Sequence, residues 1–396
     1  MKNYIFLISF LFFTVIVVSQ NNVFDLNNKK PIESVHILYN NYNGLITNED
    51  GYFEIPKDKN IDSIFLSHLT FKSKRIALSN IKKGDTIYLQ ESPIILDEII
   101  LKKFKAKDTI LKAIYNIDKN YLNEPHNSFG FFRQSMQEDS KGIEMVEVDF
   151  ISYIENKNSA YSTKITNARR TENYSEISFN TIGGVFSVIE KGDFVKQQSY
   201  FIDPNNINNY IYTYEGQIDY QDFKVYKIRF FPKNKEDLKF LRQGELYIDT
   251  KSLAFVEINY SVDEAKLNTI MEVKLENAEI NSRKPFFILK NLHNVIRYRL
   301  INENKWALSS IEVNSDKIGS FKDLSHIYTL KAKLIINNIK TDNVVPVKTN
   351  YNLSKDFSKA IRRFDNLESW NDNYKLSLSN DEKRILKDIN EKEKNN

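Results

Sequence analysis

Three consecutive oxygen-bearing side chains precede a glycine near the start of the chain, an arrangement found in calcium-binding loops. They are Asn48, Glu49 and Asp50, followed by Gly51 in the stretch GLITNEDGYFEIP. An EF-hand loop needs oxygen ligands at alternate positions and then a distant glutamate. Asn48 and Asp50 have the first spacing, but two aromatic residues follow at once. We therefore predict a hairpin turn at Asp50 and Gly51, because glycine accepts the positive φ that such a turn requires.

The other residue types with catalytic or metal-binding chemistry are dispersed along the sequence. The absence of cysteine excludes disulfides and thiolate metal sites. There is no His-Glu-x-x-His sequence, no phosphate-binding loop and no Gly-x-Ser-x-Gly elbow. The histidines are far apart in sequence: His36, His68, His126, His293 and His326. The sequence therefore assigns no catalytic, cofactor-binding or metal-binding residue, and we expect no cofactor.

A site that the fold assembles from distant carboxylates or histidines stays open at this point. Glycoside hydrolases use two carboxylates about 5–9.5 Å apart, and the fold sets that separation. The chain has 52 acidic residues, so a pair chosen from sequence alone would be arbitrary. A secreted hydrolase is therefore the alternative to a non-enzymatic protein.

The first 19 residues have the pattern of a secretory signal peptide. An apolar run covers residues 4–18, which is shorter than the roughly 20 residues of a membrane span. Val17 and Ser19 are small enough for the −3 and −1 positions of a signal peptidase site, so we predict cleavage between Ser19 and Gln20. We expect an exported protein, periplasmic or associated with the outer membrane, with no transmembrane segment after cleavage.

Composition indicates a globular protein with sizeable cores. The chain has 396 residues, which suggests two or three domains, and 41% of its residues are hydrophobic. Its formal charge is only +4 and the charges are dispersed without a basic stripe, so nucleic-acid binding is not expected. The oligomeric state does not follow from these properties.

Residues 20–101 are predicted to form a small antiparallel β-sandwich, because short alternating strands are separated by polar turns. This region also resembles the carboxypeptidase-like regulatory domain. The resemblance rests on Pro-Ile-x-x-Val at 31–35, Thr-Asn-x-Asp-Gly-x-Phe at 47–53 and Leu-x-Glu-Ile at 96–99. It implies a transthyretin-like sandwich that accompanies other modules of the bacterial cell envelope and carries no catalytic residues.

Residues 102–127 are predicted to contain one amphipathic linker helix. Ile110, Ile114 and Leu122 have helical spacing, Asp108 can cap the start, and Pro125 follows the end. The segment at 110–135 resembles the start of an uncharacterised region that often follows this sandwich in envelope proteins. That resemblance implies a β-rich domain after the helix.

Residues 128–353 are predicted to form a larger curved antiparallel sheet, because long strands with period-two alternation are joined by short polar turns. The segment GELYIDTKSLAFVEINY is similar to a hairpin of periplasmic lipoprotein-carrier folds. That similarity implies a sheet wrapped around an apolar concavity. Residues 354–396 are predicted to form short helices and a charged tail that frays.

The apolar face of such a sheet must be filled by side chains or occupied by a ligand. One strand has a clean apolar alternation with a small residue at its centre, which leaves room for an apolar guest. We predict a ligand concavity at Tyr328, Leu330, Ala332, Leu334 and Ile336. The sequence thus favours a non-enzymatic envelope binding or scaffolding protein. Its expected partners are an acyl chain, an extended peptide or other envelope proteins.

Overall fold

The computed structural model describes residues 20–39, 43–55, 61–95, 104–173, 175, 181, 184–221, 223–234, 241–262, 267, 286–302, 304–321, 324–364 and 376–393. These residues are mainly β-structure, which confirms the predicted fold class. The expected signal peptide and Ser19 lie outside them, and Gln20 is the first described residue. Within these ranges, no helix combines the length and apolar character needed to cross a membrane.

The N-terminal strands form two small sheets that share one apolar core. Their orders are β4-β1-β7 and β3-β2-β5-β6. The core includes Val23, Ile37, Phe53, Ile64 and Leu66, all essentially inaccessible to solvent. One pair departs from the expected antiparallel pattern, since β1 and β7 run parallel. The strands are β1 (Asn21–Asp25), β2 (His36–Tyr39), β3 (Asn43–Ile46), β4 (Tyr52–Phe53), β5 (Ser63–His68), β6 (Phe71–Ala77) and β7 (Thr86–Leu89), with a 3₁₀ turn at Leu78–Asn80.

Asp50 and Gly51 lie in a tight turn, but the predicted hairpin is wrong. The flanking strands β3 and β4 belong to different sheets, so the turn passes from one sheet to the other. The Asn48 side chain accepts the backbone N–H groups of Asp50 and Tyr52, which closes the turn. Asp50 accepts the N–H of Asn380, and Glu49 pairs with Lys331 at 3.1 Å. The three oxygen-bearing side chains therefore bind donors of the protein itself.

The large sheet contains ten described strands in the order β10-β9-β8-β17-β16-β15-β14-β13-β12-β11, and every neighbouring pair is antiparallel. The meander β11–β17 returns to β8, which joins it to the β8–β10 hairpins. The strands are β8 (His126–Glu138), β9 (Lys141–Ile154), β10 (Ser162–Glu172), β11 (Tyr210–Tyr220), β12 (Phe223–Pro232), β13 (Arg242–Asp249), β14 (Phe255–Val262), β15 (Phe286–Leu300), β16 (Trp306–Phe321) and β17 (Leu324–Lys340).

One face of this sheet, which we call the inner face, is covered by helices that contribute to its core. The predicted linker helix is two helices that meet at Asn116, and Asp108 lies in the first turn of α1 while Lys105 holds the cap position. The helical segments are α1 (Ala106–Tyr115), α2 (Ile117–Asn120), α3 (Gly184–Gly192), α4 (Phe194–Gln197) and α5 (Phe357–Ile361), with 3₁₀ turns at Tyr200–Ile202, Ile207–Asn209 and Arg362–Phe364.

The opposite, outer face carries the sandwich and the last helix, α6 (Asn380–Glu393). Phe131 and Ile335 of the sheet pack with Ile46 of the sandwich. Ile385 and Ile389 of α6 are fully buried against Met145. The expectation of a fraying tail is therefore wrong as far as residue 393, because α6 buries an apolar stripe on β9.

Buried ions connect the sandwich to the outer face. Glu312 accepts a hydrogen bond from Ser34 at 2.6 Å and pairs with Arg297, whose Nε lies 2.8 Å from Glu257. Burial alone would raise the pKa of Glu312, but Arg297 and Lys333 outweigh it and lower that pKa to about 2. The sandwich thus supplies one of the groups that complete a buried ionic network on the sheet.

Gly51→Ala is expected to destabilise the protein. Gly51 has φ +72°, and a Cβ there would lie 2.4 Å from the carbonyl oxygen of Val23. A strained non-glycine residue of this kind costs about 1–3 kcal/mol, before any contribution from the clash. Urea unfolding gives the free energy of unfolding. Gly51→Asn is the matched variant, since asparagine tolerates positive φ but adds the same Cβ. An alanine variant as stable as the wild type would contradict this assignment.

His36 is expected to make stability depend on pH. Its side chain is buried, and burial, followed by the charges of Arg297 and Arg299, lowers its pKa to about 3. The unfolded chain has the ordinary value near 6.5. Below that pH the unfolded state binds a proton that the folded state excludes, so the contribution of His36 falls by about 1.4 kcal/mol per pH unit towards pH 3. Urea unfolding at pH 6 and at pH 4 should show that the free energy of unfolding falls less in His36→Gln than in the wild type. Parallel losses in both proteins would refute the prediction.

Candidate ligand-binding site

A cleft of about 540 Å³ opens on the inner face, between the α3–α4 segment and strands β13–β16. Its walls combine aliphatic and aromatic side chains with polar and charged ones. They are Ser187, Val188, Glu190, Lys191, Gly192, Phe194, Gln197, Ser199, Tyr200, Arg242, Tyr260, Asn294, Ile296, Ile311 and Val313. The cleft is the place where the helices leave part of the inner face uncovered.

Asp193 fixes the helical side of the cleft. This buried carboxylate accepts hydrogen bonds from the hydroxyls of Tyr161 at 2.8 Å and Tyr298 at 2.9 Å. It also caps α4 by accepting the backbone N–H of Lys196. Burial raises the pKa of Asp193, and the three hydrogen bonds oppose that shift. The junction between α3 and α4 is therefore tied to β15 through Tyr298.

Close packing brings the end of α3 onto the sheet. A Cβ on Gly192 would lie 2.8 Å from Cδ1 of Ile311, so only glycine permits this approach without a shift. Next to it, the rings of Phe194 and Tyr260 lie 5.0 Å apart, and those of Phe201 and Phe230 stack at 4.0 Å. These contacts define a rigid apolar edge of the cleft.

Arg242 is the cation in the interior of the cleft. Its guanidinium lies over Tyr200, 3.5 Å from the ring centroid, and 5.9 Å from the centroid of Tyr260. Its Nε is buried and has no hydrogen-bond partner among the described residues, where Arg242 also forms no ion pair. Tyr200 has φ +54°, a strained conformation for a bulky residue. Strain of this kind is common at ligand clamps.

Asn294 and Glu190 set the remaining polarity of the cleft. The Asn294 Nδ2 donates to the Tyr260 hydroxyl at 2.5 Å, whereas its Oδ1 is buried without a partner in the described part of the chain. Glu190 is paired with Lys196 at 3.0 Å, so its charge is offset. Lys191 is exposed at the rim. The cleft therefore has a positive electrostatic bias.

The walls of this cleft include none of the five residues of the predicted concavity. Ala332 and Leu334 are buried in the main core with Ile336, Leu330 packs against that core, and Tyr328 is buried in a separate cluster. Ile336 lines a second cavity of only about 50 Å³. Ala332 pairs directly with Val313 of the cleft wall. Contact of these five residues with a ligand stays a prediction.

Among the described residues that line the cleft, Tyr260 is the one whose pKa is shifted, and burial raises it. Burial lowers the pKa of His36 at the sandwich interface and raises that of Glu144 to about 7 on a different part of the sheet. Neither residue lines the cleft. Across the described ranges, no cluster of three or more histidines and carboxylates has an arrangement that could hold a metal ion.

Sequence reasoning missed Arg242, Tyr260 and Asn294, which come from three different strands. A signal was nevertheless present. Arg242 lies four positions before Leu246 on β13, and Asn294 lies two positions before Ile296 on β15. Residues an even number of positions apart on a strand face the same side of the sheet, so both polar residues occupy inner-face positions. Tyr200 lies in a 3₁₀ turn, and no alternation in the sequence marks it as a cleft residue.

Comparison with known proteins does not assign the chain to a family. No protein-family model matches it, so the resemblance to the carboxypeptidase-like regulatory domain is not shown. The chain is 25% identical over 378 residues to a Borreliella burgdorferi protein described as an ankyrin repeat protein, covering 90% of this chain and 76% of that one. Ankyrin repeats are built mainly from helices, so that description does not fit the β-structure seen here.

Solved structures show only distant likeness. A Vibrio parahaemolyticus domain described as an outer membrane lipoprotein-sorting protein domain has a TM-score of 0.28 and 6% identity, over 61% of this chain and 95% of that one. A DUF1329 family protein from Desulfovibrio piger has a TM-score of 0.24 and 9% identity, with the same coverage. Lipovitellin has a TM-score of 0.21 and 10% identity, over 59% of this chain and 27% of that one. Scores this low do not establish a shared fold or function.

Asp193→Ala is expected to destabilise the protein by about 2–4 kcal/mol, because it leaves two buried hydroxyls without their acceptor and removes a helix cap. Urea unfolding measures the loss. Asp219→Ala is the matched control, since Asp219 is 58% exposed and its contact with Lys224 is 3.8 Å long. If both variants were equally stable, Asp193 would not hold the cleft in place.

Proposed function

We propose that this chain is a non-enzymatic, exported protein of the cell envelope whose large sheet binds the acyl chain of a ligand in the inner-face cleft. The observation that carries the proposal is the cleft itself. Its volume of about 540 Å³ lies within the usual range of small-molecule sites, and its walls combine apolar and aromatic side chains with polar and charged ones.

The size of the cleft argues against an ordinary packing defect. Protein interiors are close-packed, and their voids are seldom much larger than a water molecule. Here Val188 and Val313 are half-buried and line a space that is open to solvent. Covering such apolar surface is favourable by roughly 25 cal/mol per Å² removed from water, which supplies the driving force for an apolar ligand.

The position of the cleft favours an acyl chain over an extended peptide. A peptide that binds by strand addition needs a free sheet edge. The floor of the cleft comes from β13–β16, and each of these strands is paired on both sides. A flexible hydrocarbon chain needs no backbone partners and can follow the side chains of the floor.

The envelope location rests on the signal-peptide pattern at residues 1–19, which remains a prediction. The sandwich on the outer face lies away from the cleft and is available to act as an accessory module toward other envelope proteins. The envelope location and the accessory role of the sandwich are therefore parts of the proposed function.

The purified protein is expected to bind Nile red, a neutral hydrophobic dye, with saturable fluorescence, and Val313→Trp is expected to weaken that binding at least tenfold by filling the cleft. Val313 is suited to this test because it lines the cleft and is half-buried. Ala332 is only 2% exposed, so a tryptophan there would overpack the core at a cost of about 1–3 kcal/mol.

Val345→Trp is the matched control, since Val345 is 63% exposed and distant from the cleft walls. Circular dichroism should show the same fold in both variants. The proposal fails if the wild type does not bind the dye, or if Val313→Trp binds it as well as the wild type does.

A further inference from the structure

We infer that the ligand of the cleft is a single-chain amphiphile with an anionic oxygen head group, a carboxylate or phosphate, and that Arg242 is the residue that recognises it. This inference rests on the proposed function, because it assigns the polar end of the same ligand. Binding of an acyl chain alone would not require Arg242, so this inference assigns Arg242 a role in specificity for the head group.

The charge of Arg242 is the first feature that points to an anion. A guanidinium stays protonated under all relevant conditions, and Arg242 is half-buried with its Nε atom buried. Arg242 forms no ion pair within the described residues, and its Nε is buried without a partner. Glu190, the carboxylate among the cleft residues, is already paired with Lys196 at 3.0 Å. An anion in the cleft would supply the missing partner.

The surroundings of the guanidinium are the second feature. Its Cζ lies 3.5 Å from the centroid of Tyr200, and it also interacts with the Tyr260 hydroxyl. The buried Nε has no partner among the described residues, so the Nε edge is left for hydrogen bonds. Carboxylates and phosphates accept two parallel bonds from such an edge. Tyr200 also has a strained φ of +54°, and strain of this kind is common at ligand clamps.

The polar groups next to Arg242 also fit a ligand with an anionic head group. Asn294 donates to the Tyr260 hydroxyl, and its buried Oδ1 is left as an acceptor without a donor in the described part of the chain. A hydroxyl or N–H next to the anionic group of the ligand would satisfy it. Val313 and Val188, which are half-buried, then face the hydrocarbon part, and Lys191 at the rim reinforces the positive bias.

The test compares probes that share one chain and differ in head group. Isothermal titration calorimetry of the full-length mature protein measures oleate, oleoyl lysophosphatidate, neutral mono-oleoylglycerol and inorganic phosphate, all below micelle-forming concentrations. We expect the anionic amphiphiles to bind at least tenfold more tightly than mono-oleoylglycerol. Arg242→Gln should reduce that ratio to about one while mono-oleoylglycerol still binds, which also shows that the variant is folded.

Two further variants define the role of the guanidinium. Arg242→Lys keeps the charge but loses the planar edge, so we expect an intermediate ratio. Arg229→Gln is the matched control, because Arg229 lies on neighbouring β12 with its side chain 64% exposed, and it should retain the wild-type ratio.

The outcomes separate this inference from the proposed function. If mono-oleoylglycerol and oleate bind equally well, the anionic head group is refuted and acyl-chain binding stands. If no amphiphile binds, the proposed function itself fails. If inorganic phosphate binds as tightly as oleoyl lysophosphatidate, the chain contributes nothing and the amphiphile assignment is overturned. A selectivity that persists in Arg242→Gln would show that another residue recognises the head group.

Discussion

A long antiparallel sheet exposes two faces, and the need to cover both determines the rest of this structure. The ten described strands of the large sheet alternate their side chains between an inner and an outer face. Helices α1–α5 pack on the inner face, while the sandwich and α6 pack on the outer face. The helices are short, and the cover between α3–α4 and β13–β16 is incomplete. The cleft is therefore a direct consequence of how the sheet is covered.

The two faces use different chemistry to hold their covers. Outer-face positions carry Arg297, Glu312 and Lys333, which are buried by the sandwich and meet partners of opposite charge, including Glu33 at 2.5 Å from Lys333. Desolvating such ions is costly unless every one of them is paired. That requirement specifies one position for the sandwich, since a displaced sandwich would leave Glu312 without Ser34. The inner face depends instead on aromatic packing and on the single buried carboxylate Asp193, which ties the helices to β15.

The sequence predicted the features that depend on local pattern. Period-two alternation identified the strands of the large sheet, such as β17, and the turn at Asp50 and Gly51 followed from the conformational freedom of glycine. Features that depend on distant pairing were missed. The turn joins two sheets instead of forming a hairpin, β1 pairs with β7 in parallel, and α6 docks on Met145 although its sequence is highly charged. For the cleft, the positions of Arg242 and Asn294 could be read from strand alternation, but their convergence on Tyr260 required the order of the strands.

The contrast between the faces also explains why Arg242 is the residue that points to function. A buried cation on the outer face, such as Arg297, is fully engaged with carboxylates of neighbouring strands and serves the fold. Arg242 lies on the inner face with an aromatic ring beneath it and no carboxylate beside it within the described residues. An apolar residue at this inner-face position would contribute more to the core, since the neighbouring positions of β13 and β14 are apolar. Among the described residues no carboxylate neutralises this cation, and we propose that a ligand with an anionic group and a hydrocarbon chain does so.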